Sequence, residues 1–145
     1  MTLPDMKLPD VNLLLYAVNT AAPQHAAAHQ ALRDAYAAGR VGMAWAALLG
    51  FLRLATRPGI LPRPLTVDQA LDVLHRWLDH PATVLLVPTA RHAAVLGRLL
   101  LGAGQGGNLV SDAHLAALAI EHGAELLSFD RDFLRFAGLR WSMPG

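Results

Sequence analysis

The stretch NLVSDAHLAALAIEHGAELLSFDRDF, Asn108 to Phe133, decides the fold. Apolar residues recur at helical spacing from Leu109 to His122, and Gly123 is the residue type that stops a helix in the left-handed region. AELLSF then reads as a strand, and DRDFLRF as a turn or short helix. The same stretch carries Asp112, Asp130 and Asp132 in an otherwise oily sequence. Carboxylates are costly to gather near one another unless something positive sits among them.

The rest of the chain repeats the alternation of helix and strand. Upstream, ATVLLVP (Ala82–Pro88) is β-branched and continuously apolar, as a strand covered on both faces would be. Thr89 then caps a helix running to about Leu101, and GAGQGGN is a connector, lacking the Lys-Ser/Thr of a phosphate loop. MKLPD opens the fold as a short strand that Pro9 confines to an edge or a strand end. Helices follow over Val11–Val18 and Gln24–Ala38, then a brief strand in RVGMA and a buried helix from Trp45 to Thr56 that ends before Pro58. Arg57–Pro64 is a loop, and Thr66 with Gln69 forms a capping box for a helix from Val67 to about Leu78. LRWS supplies a last strand. Strands separated by helices of a dozen residues pair in parallel, so the expected architecture is a three-layer α/β/α sandwich with a central mainly parallel sheet.

At 145 residues the chain has the size of one domain, expected to span residues 1–145, with 54% hydrophobic and only 16% charged residues. The longest apolar runs, such as Ala44–Leu52, are cut off by Arg53 short of the roughly 20 residues a membrane span needs. The first residues lack the apolar middle of a signal peptide, so a cytoplasmic protein without membrane contact is expected. There is no cysteine, which excludes disulfides and thiolate chemistry; any metal must be held by oxygen or histidine. Net charge is +1, yet four of the 11 acids are Asp10, Asp112, Asp130 and Asp132, so the remainder of the chain is basic enough to attract a polyanion.

Ligands of open parallel sheets collect beyond the carboxyl ends of the strands. Asp10 follows the first strand, Asp130 follows AELLSF, and Asp112 lies in the first turn of a helix. Each has an ordinary explanation too, as a helix cap, a turn former or a complement to the helix dipole. If the three converge, a hard divalent cation such as Mg²⁺ or Mn²⁺ relieves their repulsion, polarises a phosphoryl oxygen and activates a water.

LPDVNLLLYA early, LLGFLRLATRPGIL in the middle, GNLVSDAHLAALAIEHGAELLSFDRDF late and GLRW at the end together resemble the PIN domain, specifically the VapC-type toxin ribonucleases of bacterial toxin–antitoxin pairs. The resemblance covers nearly the whole chain in the right order. It implies a Mg²⁺- or Mn²⁺-dependent endoribonuclease acting on RNA, a cognate VapB-like antitoxin that fills its groove, and a homodimer. Carried over by position, Asp10, Asp112 and Asp130 are the catalytic and metal-binding acids, with Asp132 close enough to assist and Asn12 and Ser128 lining the pocket. The sequence departs from the family at Gly50, where a glutamate is usual, which leaves fewer metal ligands.

Other residues compete for attention. His25 and His29 stand at i and i+4, the spacing of a zinc pair, but without the glutamate of a zinc protease; solvated or packing roles are expected. His114, two residues past Asp112, points away from it, and Ser111 lacks a nucleophile-elbow context. Trp45, Trp77 and Trp141 are expected in core or interface packing. Arg53 interrupts a buried helix and is expected to meet an acid or a phosphate. Arg57, Arg63, Arg131, Arg135 and Arg140 are candidates to grip an RNA backbone, the last three near Asp130. The apolar helices Trp45–Thr56 and Val67–Leu78 leave room for a self-association face. A binding module that has lost catalysis, and a phosphatase with Asp10 as nucleophile, remain open as alternatives.

Overall fold

A computed structural model describes residues 5–145; the first four residues of the expected domain lie outside the described part. The elements are β1 (Met6–Pro9), α1 (Val11–Val18), α2 (His25–Ala37), β2 (Val41–Met43), α3 (Trp45–Ala55), α4 (Val67–Asp79), β3 (Thr83–Leu85), α5 (His92–Ala103), α6 (Leu109–His122), β4 (Ala124–Leu127), a 3-10 helix (Arg131–Arg135) and β5 (Trp141–Ser142). The strands form one sheet in the order β3-β2-β1-β4-β5, and every pairing is parallel. The chain therefore builds outward from β1 through β2 to β3, then returns to the other side of β1 as β4. The strand order reverses between β1 and β4, where an open α/β sheet parts into a crevice.

Period-two alternation divides the core between the two faces. Met6 and Leu8 of β1 and Ala124 and Leu126 of β4 join a cluster with Leu99, Leu115, Leu118 and Phe133, on the side of α5 and α6. Val41 and Met43 of β2 join the other cluster, with Leu13, Leu48, Phe51, Leu74 and Trp77 from α1, α3 and α4. Helices thus cover both faces, as the three-layer reading requires. Lys7 and Glu125, register partners on β1 and β4, form an ion pair at 3.2 Å. Among the described residues no helix is long and apolar enough to cross a membrane.

Local chemistry explains most boundaries. The Thr66–Gln69 capping box is present with both of its hydrogen bonds, and α6 ends on Gly123 at φ +65°, a conformation that glycine adopts without cost. Pro9 is the last residue of β1, where its missing N–H breaks no ladder. The run Ala82–Pro88 behaves differently from its reading as a doubly covered strand. Only Thr83–Leu85 pairs, at the sheet edge, and Val84, Leu85 and Val87 are exposed. Thr89 does not cap α5, which begins at His92; its N–H and hydroxyl donate to Glu121 Oε1, at 2.9 and 2.6 Å.

Replacing Leu126, fully buried in β4, by Ala should destabilise the fold by about 3 kcal/mol. The same change at Leu101, 84% exposed on α5, should stay within roughly 0.5 kcal/mol. Urea denaturation of the two variants checks the contrast.

Candidate active site

The carboxyl end of β1 hands the chain to Asp10, which is buried at 8% exposure. Its N–H donates to Leu127 O at 2.9 Å, extending the ladder, while its Oδ1 accepts the Val11 N–H at 2.7 Å and so caps α1. The other oxygen, Oδ2, accepts the Ser128 hydroxyl at 2.8 Å. Ser128 is fully buried just past β4, and its Oγ also accepts from Asn12 Nδ2 at 3.1 Å and from the Asp130 N–H at 3.0 Å. Asn12 Oδ1 in turn accepts the Phe129 N–H at 3.2 Å. One hydroxyl and one amide therefore knit the ends of β1 and β4 together. Asp130 caps the 3-10 helix by accepting the Asp132 N–H at 2.9 Å. Asp112 enters from the first turn of α6, half-buried.

The acids feel one another. Burial raises the Asp10 pKa, the Ser128 hydroxyl and Val11 N–H oppose it, and the charge of Asp130 raises it further. Asp112 is pushed up to about 6, by burial first and then by Asp10, Asp130 and Asp132, with Arg135 pulling it down. The cost of assembling negative charge thus falls on the Asp112 carboxyl.

Asp132 is more exposed than the other three acids and pairs with Arg135 Nη2 at 3.4 Å. Arg53 is exposed, not buried: it sits on the water side of α3, so nothing forces an acid or a phosphate upon it. Arg140 is not near Asp130. It donates to Gly123 O at 2.6 Å and lies 3.9 Å from Asp5, at the amino ends of β1 and β4. Arg57, Arg63 and Arg131 are exposed. Trp77 packs against Phe51 in the core, Trp141 is half-buried, and Trp45 is 43% exposed and outside the core. His25 bonds to Tyr16 O at 2.8 Å, a packing role.

A second polar cluster escaped sequence reasoning. Glu121, its side chain fully buried, meets His92 Nδ1 at 2.5 Å, and His92 Nε2 meets His114 Nδ1 at 2.9 Å. The bonded partners lie 29 and 22 residues apart, and no local pattern announces them. They fasten the start of α5 to α6, and Glu121 stands about 13 Å along the helix from Asp112.

Comparison with known proteins places this geometry in a family. The PIN domain family model matches residues 7–139. This chain belongs to the PIN domain family. Ribonuclease VapC37 of Mycobacterium tuberculosis is 51% identical over 140 residues, 96% of this chain and 97% of that protein. Ribonuclease VapC33 of the same organism is 43% identical, over 96% of this chain and 98% of its own. The crystal structure of VapBC2 from Rickettsia felis bound to a DNA fragment from their promoter is similar at a TM-score of 0.72 and 17% identity, over 97% of this chain and 99% of that one. That likeness speaks for the fold.

At Gly50, where the resemblance leads one to expect a glutamate, α3 packs closely on α1. A Cβ there would stand 3.0 Å from Val11 Cγ2, so any side chain at this position requires the Val11 side chain to give way by a few tenths of an ångström. The remaining donor set is all oxygen, as Mg²⁺ or Mn²⁺ prefers. Among the described residues no three acid or imidazole side chains stand close enough to enclose an ion by themselves. One or two direct carboxylates and several waters is the arrangement magnesium commonly takes, and the raised Asp112 pKa marks charge that a cation would relieve. The residues fit such an ion.

Ser128→Ala should leave Asp10 Oδ2, Asn12 Nδ2 and the Asp130 N–H without a partner, at about 2–3 kcal/mol of stability by urea denaturation. Asp112 gives a pH signature. Its folded pKa of about 6 lies above the unfolded value, so the native state holds the extra proton between roughly pH 4 and 6. Stability without divalent cations should fall as pH rises through that window, and Asp112→Asn should flatten the fall. At pH 7.5 the variant should gain about 1 kcal/mol, allowing for solvent screening of a half-exposed group.

Proposed function

We propose that this PIN domain is an endoribonuclease of the toxin type, dependent on Mg²⁺ or Mn²⁺ and restrained by a VapB-like antitoxin. The observation that carries the reading is the convergence of Asp10, Asp112 and Asp130 at the β1–β4 switch point, with Asp112 raised to about 6. The names of the ribonucleases VapC37 and VapC33, which are similar over nearly their whole length, support RNA as the substrate. The VapBC2 complex supports an antitoxin partner.

Asp10, Asp112 and Asp130 would hold the cation, directly or through water. When bound, it supplies Lewis acidity toward a phosphoryl oxygen and lowers the pKa of a water for in-line attack. The protein's own contribution is placement. Ser128 and the Val11 N–H hold the two oxygens of Asp10 in one orientation, and Asn12 fixes Phe129 and so the approach to Asp130. Gly50 favours a second reading, a module that binds RNA without cutting it because an acid is missing.

A groove of about 680 Å³ offers the antitoxin a seat. Tyr36, Leu61, Leu65 and Trp77 give it an apolar floor, while Arg33, Arg76, His29 and His80 line it without any acid among the lining residues. That composition suits an amphipathic segment bearing acidic residues. Ala17 and Val18 of α1 also line it, about 10 Å along the helix from Asp10, so one segment can span both. Trp45 and Leu49, exposed at i and i+4 on α3, support a self-association face for a homodimer.

RNA cleavage should be lost with EDTA, return with Mg²⁺ or Mn²⁺, and fall by at least about 100-fold in Asp10→Ala. RNA binding without any metal-dependent cuts would instead establish the second reading. Arg33→Glu with Arg76→Glu should weaken binding of the co-expressed antitoxin by about 10-fold or more, read by titration, without altering RNA cleavage by the toxin alone.

A further inference from the structure

Of the five arginines that the sequence offers to an RNA backbone, one is distinguished by its place. Asp130 caps the 3-10 helix, and Arg135 is the last of its residues. Asp132 and Arg135 stand three apart, where side chains of a 3-10 helix eclipse one another, and they pair at 3.4 Å. Both face water, with side-chain exposures of 57% and 39%. Such an exposed pair is weak and readily exchanged. A phosphate, by contrast, can take two parallel hydrogen bonds from a guanidinium. Arg135 also faces the acids, since its charge opposes theirs at Asp112, whereas Arg140 is engaged at the far end of the sheet.

We propose that Arg135 binds an RNA phosphate beside the scissile bond, and that Asp132 is the counter-ion that positions it and not a ligand of the cation. The proposal rests on the ribonuclease reading and adds a residue to it. An acid site repels the polyanion it must cut, and a single cation aimed at its mouth by a neighbouring carboxylate offsets that repulsion without neutralising the metal-binding acids. Asp132 already has a partner, and it is the most exposed of the four acids.

Arg135→Gln, which keeps much of the aliphatic stem, and Arg135→Lys test the first half. With Mg²⁺ and a short single-stranded RNA, Arg135→Gln should raise KM about 10-fold and leave kcat within about 2-fold, and Arg135→Lys should recover part of the loss. Anisotropy of a fluorescent RNA in EDTA should show the slope of log affinity against log salt falling by about 0.7 in Arg135→Gln, one phosphate contact to a single strand. An unchanged slope with wild-type KM, or a loss confined to kcat, would overturn the role of Arg135. For the second half, Asp132→Asn should raise KM about 3-fold while the Mg²⁺ concentration for half-maximal rate stays within 2-fold of wild type, and Asp132→Glu should restore KM. A 10-fold rise in that Mg²⁺ concentration would make Asp132 a ligand and defeat the proposal. If the wild-type protein cuts no RNA, the ribonuclease reading falls, and the anisotropy arm still decides Arg135.

Discussion

A single buried hydroxyl, Ser128 Oγ, links the two halves of this fold just beyond the ladder that sets their register. The residues it joins, Asp10 and Asp130, follow different strands and come from opposite ends of the sequence. A parallel sheet gives no short turn between neighbours, so β1 and β4 meet only after the chain has built the other half of the sheet. The ladder between them runs from Met6–Ala124 to Pro9–Leu127, and beyond it the backbones separate. There a serine, an asparagine and an aspartate take over from backbone hydrogen bonds and tie the two strand ends together. Asp10 and Asp130 are tied to that clasp directly and Asp132 through Asp130, while Asp112 approaches independently on α6.

Fixing the acids creates an electrostatic burden that the fold distributes unevenly. Asp10 is the more buried, but two hydrogen bonds compensate it. Asp112, with burial and three neighbouring carboxylates against it and only Arg135 in its favour, is lifted to about 6. Burial and like charge together make the ionised form of Asp112 costly, and a nearby positive charge would lower that cost. The basic residues do not answer it from inside. Arg53 faces water, Arg140 lies at the other end of the sheet, and Arg135 approaches from the solvent side only.

What the sequence disclosed, and what it withheld, follows from the range of the forces involved. Helices with local signals were legible to the residue: α1 after Asp10, α4 with its capping box, α6 up to Gly123. The parallel architecture followed from their alternation with strands, and the convergence of Asp10 with Asp130 from the rule that ligands gather at strand ends. Composition alone could not reveal that ATVLLVP lies at an edge, because apolar β-branched residues read the same in the centre of a sheet as on an exposed rim. Arg53 misled for a related reason: an apolar helix still has a wet side, and one residue does not show on which side it falls. The Glu121–His92–His114 chain and the groove between α2 and α4 depend on long-range packing, to which neither periodicity nor spacing is sensitive.

Gly50 connects packing to chemistry most directly. In the family's usual pattern an acid stands there, and in this chain the backbone of α3 comes so near α1 that even a methyl group would press on Val11. Val11 is also the residue whose N–H fixes Asp10, so the tight contact at Gly50 sits beside the one that orients the first aspartate. Close packing at this point therefore does two things at once. A glycine adds no charge to an already crowded site, and it lets α3 pack against the helix start that Asp10 caps. With no carboxylate at position 50, the proposed cation would have Asp10, Asp112 and Asp130 as its nearest acids, and waters would complete its coordination. The Ser128 hydroxyl, which accepts from Asn12 and from the Asp130 N–H while donating to Asp10, is then the contact that ties the first acid to the last.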